Sequence, residues 1–305
     1  RSQSNPRHIT EHYNRLRDMA LAYSIKGSPL YGNWELKGDI INALEWLYHN
    51  RYNERTEMYG NWWEWEIGTP MALKDILVLM YDEIPDWMRI GYLKTIERFV
   101  GDPTVRTASL VEERGANRAD KALIVVVAGI IEKDVDKVLA GKSALEQIFQ
   151  VADNGAGFKK NGAFFQHPNV PDIGSYGVVL INSLAELLSL LDDSPWAADD
   201  LPIEQIYDWF YEAYEPFMYE GAMMDMVRGR AISRSGSDDH TIGRIVTNAF
   251  LKLSELLPEE KSKDIKSRLK YRYSSEKVFN VPYMGLNIDG INRMQNLVQD
   301  DSIVP

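Results

Sequence analysis

The chain has 305 residues, 45% of them hydrophobic, enough for one large domain or two medium ones. Its formal net charge of −11 argues against nucleic acid as a general partner, while leaving room for an acidic ligand held by a local basic cluster. With no cysteine, disulfides and thiolate metal sites are excluded, and no apolar run reaches the length of a membrane span.

The chain opens RSQSNPRHIT, without Met and without a visible signal peptide, which reads as a processed or trimmed product. The absence of cysteine fits a secreted or cell-surface protein of bacterial type as well as a cytosolic one. From there helical periodicity is nearly continuous and strand signals are scarce. The spacing predicts helices over 8–25, 33–51, 70–83, 86–101, 116–132, 134–151, 176–193, 202–219, 238–257 and 258–273. Leu123, Val126, Val127, Ile130 and Ile131 make one apolar stripe; Ile242, Ile245, Val246, Phe250, Leu253 and Leu257 make another. Pro70, Pro85, Pro202 and Pro258 stand at or beside helix starts, where a missing N–H costs little. Residues 276–305 lose the helical period and read as a connector.

The links alternate in length. Those at 84–85, at 133 and near Pro258 are short; those at 52–69, 102–115, 152–175 and 220–237 are long. Antiparallel neighbours joined in that way gather the long links at one end. The expected fold is therefore all-α, a toroid of helical hairpins over residues 1–275 with one elaborate face. The candidate polar residues below fall in or beside long links.

The first long link carries NWWEWEIGTP, residues 61–70. Three Trp among four residues cannot all face one core. Trp62 and Trp63 suit a stacking platform for sugar rings, or a wedge between helices. Glu64 and Glu66 would make an acid–base pair for glycoside hydrolysis, although two residues apart in one segment is a poor way to straddle a bond. Asn117, beside the start of the fifth helix, either caps it or aims its amide at a substrate carboxyl group. His167 and Tyr176 flank an aromatic loop and the mouth of the seventh helix; each has an ordinary structural reading as well. Arg228, Arg230 and Arg234 lie within seven residues and suit carboxylate or sulfate groups, which guanidinium binds bidentately, unless Asp225, Asp238 or Asp239 pairs with them. Asp238 and Asp239 read as caps of the ninth helix rather than as metal ligands beside His240.

Four stretches together, NWWEWEIGTP, RGANRADK, NGAFFQHPNVPDIGSYG and RGRAISR, resemble one family: the polysaccharide lyases of the hyaluronate, chondroitin AC and xanthan lyase group. They occur in the family's order between positions 61 and 234. The resemblance implies an incomplete α/α toroid followed by a large C-terminal β-sandwich region, to which nothing in this sequence can be matched. It implies that Asn117 neutralises a uronate carboxyl group and that His167 and Tyr176 flank C5 and the leaving O4. Arg230 and Arg234 would line the catalytic cleft, Arg228 would join them in substrate binding, and Trp62 and Trp63 would place the chain. The implied partners are an acidic polysaccharide and a C-terminal β region, of the same protein or a cleaved chain; no cofactor or metal is demanded.

The residue types suit that chemistry. The C5 proton of a uronate lies α to a carboxylate, and neutralising the carboxylate makes an enolate-like intermediate accessible. A phenol beside cationic guanidiniums is a candidate base, with the imidazole as the alternative. Two readings from other classes stay open: a non-catalytic acidic-glycan-binding domain, and an α/α-toroid hydrolase using Glu64 or Glu66.

Overall fold

A computed structural model of the protein describes residues 4–167, 170–275 and 283–305. Each of the ten predicted helices has a counterpart in it, but the eighth, expected over 202–219, is α-helical only over Gln205–Trp209, continues as a π-helical and a 3₁₀ turn, and gives way to a strand at Met218–Tyr219. The backbone divides into two units: residues 1–113 with 120–144, and residues 114–119 with 145–305.

The first unit holds α1 (Arg7–Ser24), α2 (Trp34–Asn50), α3 (Thr69–Leu79), α4 (Asp86–Phe99), most of α5 (Gly115–Glu132) and α6 (Val135–Ser143). Helix α1 packs on α2 and α3, and α2 on α4. Their shared core is aromatic: Tyr13, Tyr52, Trp65, Tyr92 and Phe99 are fully buried. Burying a phenol requires a partner for its hydroxyl. Tyr13 donates to Tyr92 at 2.8 Å, Tyr92 to the Leu44 carbonyl at 2.6 Å, and Tyr52 to the Trp65 carbonyl at 2.8 Å. The short link at 133 makes the α5–α6 hairpin, with Lys133 in the left-handed region (φ 60°) and Asp134 capping α6 through the Asp136 and Lys137 N–H groups.

The second unit holds α7 (Tyr176–Leu191), α8 (Gln205–Trp209), α9 (Asp239–Ser254), α10 (Glu259–Ser274) and α11 (Ile288–Gln299). Helix α9 packs on α7, α10 and α11. The apolar stripe of α7, Leu180, Leu184, Leu187, Leu188 and Leu191, is buried. Asp238 caps α9 by accepting from the Thr241 N–H at 2.7 Å, as its sequence position suggested.

Two features depart from expectation. The segment read as a connector contains α11, a twelve-residue helix capped by Asn287, which accepts from the Gly290 N–H at 2.8 Å; residues 276–282 lie outside the described residues. The long links also contain short strands. β1 (Gly157–Phe158), β2 (Phe164–His167) and β3 (Val170–Pro171) pair antiparallel in that order, with an irregularity between Phe165 and His167. β4 (Met218–Tyr219) and β5 (Ala222–Met223) form a second hairpin.

Candidate functional site

The β1–β2 hairpin is anchored by rings built into the core. Phe158 stacks on Trp209 with centroids 4.2 Å apart, and Phe164 lies 5.2 Å from Phe158. That anchor delivers the last residue of β2, His167, to the surface. Tyr176 follows as the first residue of α7, and the two rings meet edge to face with centroids 5.2 Å apart and planes at 90°.

The fourth long link closes on the same pair. Gly174 donates to the Val227 carbonyl at 2.8 Å, which docks residues 225–234 against the start of α7. There two 3₁₀ turns, Asp225–Val227 and Gly229–Ser233, set the direction of each arginine. Arg230 is exposed and donates from Nη2 to the Tyr176 oxygen at 2.8 Å, with its guanidinium 5.8 Å from the Tyr176 ring centroid. Arg234 is exposed at the end of the second turn. Arg228 departs from the expected substrate contact. It is buried, pairs with Asp225 at 2.5 Å and donates to the Ser237 carbonyl, so it braces the loop.

Asn117 is buried in the first turn of α5, inside the helix rather than at the preceding cap position. A side chain that carried no weight in the sequence ties it to the His167 strand. Gln166 accepts from the Ala116 N–H at 3.0 Å and donates to the Arg114 carbonyl at 3.3 Å. Gly115, between them, has φ +60°, and a Cβ there would stand 2.5 Å from the Gln166 Oε1. The hydrogen-bonded residues Ala116 and Gln166 are the chain neighbours of Asn117 and His167. Thus Asn117, His167, Tyr176 and Arg230 stand on three long links stapled to one another within one unit.

Asp172 was also given no role by the sequence. It is buried beneath the pair, and burial lifts its carboxyl above the usual carboxylate range, opposed by the Tyr176 N–H and by the charges of His167 and Arg230. Beside the cluster, the hairpin forms a groove of about 760 Å³ lined by Lys159, Lys160, Asn154, Asn161, Phe165 and Pro171. Lys159 is fixed there by the Gly155 carbonyl at 2.9 Å and lies 5.4 Å from the Phe165 ring centroid.

In the first unit, the three Trp divide as their crowding required. Trp65 is in the core and Trp63 is exposed. Trp62 is half-buried, with the Arg106 guanidinium 3.9 Å from its ring centroid. The carboxylates considered for hydrolysis are both buried, and Glu66 is engaged by Lys121 and by the Thr107 and Ala108 N–H groups.

The family model for the N-terminal alpha-helical domain of polysaccharide lyase family 8 matches residues 1–271. A xanthan lyase of Bacillus sp. (strain GL1) is 40% identical over 296 residues, covering 96% of this chain and 31% of the relative. A hyaluronate lyase of Enterococcus faecalis is 30% identical over 305 residues, 95% of this chain and 30% of the relative. Among solved structures, the chondroitin AC lyase of Streptomyces coelicolor A3 in complex with chondroitin sulphate superposes with a TM-score of 0.93. It is 28% identical, over 98% of this chain and 42% of that one. A Paenibacillus xanthan lyase gives 0.89 at 35% identity, over 99% and 28%. The chain thus spans about a third of the length of these curated relatives. It belongs to polysaccharide lyase family 8, and what it matches there is the N-terminal α-helical domain.

Proposed function

We propose that this chain carries the elimination site of a lyase that cuts a uronate-containing polysaccharide of the hyaluronan, chondroitin or xanthan type. The observation that carries the reading is the contact of the Arg230 guanidinium with the Tyr176 oxygen at 2.8 Å, with the His167 ring set against the same phenol. A donated, charge-assisted hydrogen bond stabilises negative charge on that oxygen. Asn117, helped by His167, hydrogen-bonds the uronate carboxylate and offsets the charge that builds as C5 loses its proton. Tyr176 takes the C5 proton, the C5 electron pair forms the C4–C5 double bond, and the C4–O4 bond breaks. The same phenol returns the proton to O4, which requires both to lie on one face of the ring. With the opposite configuration at C5, His167 is the base. General acid–base help of this kind is worth roughly 10²- to 10⁴-fold.

Arg234 steadies the acidic sugar, the lysines of the hairpin groove offer further cationic contacts, and Trp62 and Trp63 offer stacking faces for sugar rings. Residues 1–275 serve as the catalytic helical domain and the following segment leads toward a β region that completes the cleft. The polymer is met outside the cell. The test is to offer hyaluronan, chondroitin and xanthan and to follow the ultraviolet absorbance of the unsaturated product. Tyr176→Phe abolishes that signal and leaves polymer binding within about twofold; normal turnover by this variant refutes the mechanism. Polymer binding without any absorbance change would instead favour the non-catalytic glycan-binding reading of this chain.

A further inference from the structure

Asp172 lies four residues before Tyr176, on the turn from β3 into α7. Its residue is 3% exposed, and Oδ1 has no hydrogen-bond partner. A fold rarely leaves a buried carboxylate oxygen unpaired without a use for the charge.

Three connections converge on this residue. Its carbonyl accepts from the Ser175 N–H at 3.4 Å, which closes the turn from which Tyr176 enters α7. Its backbone N–H donates to the Phe164 carbonyl at 2.9 Å, and its carbonyl accepts from the Gly177 N–H at 3.0 Å, so it is stapled both to the His167 strand and to α7. Finally, Gly229 faces the carboxylate: with φ +51°, a Cβ there would stand 3.3 Å from Oδ1. The next residue is Arg230, whose Nη2 donates to Tyr176.

We propose that Asp172 is the positioning carboxylate of the cluster: it holds Tyr176 and Arg230 in their mutual contact and supplies the negative charge that balances the guanidinium while the phenol is protonated. The idea rests on the elimination reading above and acts on the reaction only through those two residues. Among the described residues, the charged and titratable groups that act on Asp172 include His167 on β2 and Arg230 on the second 3₁₀ turn, with Tyr176 at the start of α7.

The test separates this role from simple helix capping. Asp172→Ala removes acceptor and charge, and lowers kcat about 100-fold with KM within about twofold, the scale expected when reacting groups lose their alignment. Asp172→Asn keeps the shape and an acceptor oxygen but not the charge. It lowers kcat by about tenfold, leaves Tm within about 2 °C, and moves the acid limb of the kcat/KM profile to lower pH, because neighbours that lose a nearby anion deprotonate more readily. A readout independent of turnover is ring-¹³C tyrosine NMR. The Tyr176 signal, assigned by its loss in Tyr176→Phe, titrates at lower pH in Asp172→Asn. Wild-type turnover, pH limb and Tyr176 titration in Asp172→Asn would overturn the proposal, as would an unfolded Asp172→Ala beside a fully normal Asp172→Asn. Product formation by Tyr176→Phe would sink the elimination reading instead, and if no polymer is cut the NMR titration alone decides.

Discussion

The ion pair between Lys121 and Glu66 is the most consequential polar contact of the first unit. Both side chains are wholly inaccessible, with Nζ to Oε2 at 3.0 Å. Glu66 also accepts from the Thr107 N–H at 2.9 Å and the Ala108 N–H at 2.7 Å, and Lys121 also donates to the Val105 carbonyl at 2.5 Å. One carboxylate therefore ties the π-helical turn Glu64–Gly68 to the link at 105–108 and to α5. Removing one partner of a buried pair leaves an uncompensated charge and costs about 3–5 kcal/mol. Lys121→Met belongs at the lower end, about 3 kcal/mol, because the carboxylate keeps two N–H donors, each worth roughly 1.5–3 kcal/mol. Glu66→Gln belongs at the upper end, about 5 kcal/mol, because the buried ammonium loses its anionic partner and the new amide NH2 must face either it or the Thr107 and Ala108 N–H donors. The double variant, with neither charge, costs less than the sum of the two, by at least about 1.5 kcal/mol. Urea unfolding followed by circular dichroism measures all three. The losses are a large part of the roughly 5–15 kcal/mol that hold a domain together. Single losses below about 1 kcal/mol, or strict additivity in the double variant, would refute the assignment of this pair as the brace of the link.

Two further outcomes are expected. Burial works to raise the Glu215 carboxyl, but hydrogen bonds from Arg272 and Arg268 at 2.5–2.6 Å outweigh it and hold the group below the usual carboxylate range. A lowered folded value contributes stability that is present above the unfolded pKa and lost as pH falls through the folded one. Glu215→Gln should therefore lower Tm at neutral pH and converge on the parent as the pH drops below the usual glutamate range; an equal gap at both ends would contradict this. In the hairpin groove, the double variant Lys159→Gln/Lys160→Gln should raise KM for an acidic polymer by about three- to tenfold and flatten its dependence on salt, leaving kcat unchanged. An unaltered salt dependence would remove the groove from the binding surface.

Much of the helical framework was legible because helix periods are long enough to repeat. The α7 stripe, the Asp238 cap and the division of the three Trp follow from spacing and crowding alone, and so does most of the α9 stripe, where Ile242 and Ile245 are only half-buried. What stayed hidden has identifiable causes. Helix α11 does show Ile288, Ile291, Met294 and Leu297 at helical intervals, but the Pro, Gly and Asn ahead of it dominate the composition of the segment. Two-residue strands such as β1 and β3 carry no period at all. Three arginines in seven residues look alike on paper; a 3₁₀ turn decides that Arg228 is spent inside the loop while Arg230 reaches Tyr176. Asn117, His167, Tyr176 and Arg230 are named by their motifs, yet Gln166, which ties the His167 strand to the start of α5, bonds to Ala116 fifty residues away, and no local pattern reports such a bond.

Gln166 puts that last point to a test. The first N–H groups of an α-helix have no intrahelical acceptor, and the Gln166 amide supplies one to Ala116 from a strand fifty residues away. Replacing it by Leu keeps the volume of the strand residue and leaves the Ala116 N–H and the Arg114 carbonyl without these bonds. The cost is about 1–3 kcal/mol, at the lower end because the site is part-buried and water can reach it. Gly115→Ala strikes the same staple from the other side: it forces a side chain into φ +60° and against the Gln166 Oε1. If the staple sets where Asn117 stands relative to His167, both variants lose turnover by more than their loss of stability accounts for when assayed well below Tm, and the loss falls on kcat/KM for the charged sugar. Should either variant unfold earlier yet turn over normally at low temperature, the staple serves the fold alone, and the placement of Asn117 must be credited to the packing of α5 itself.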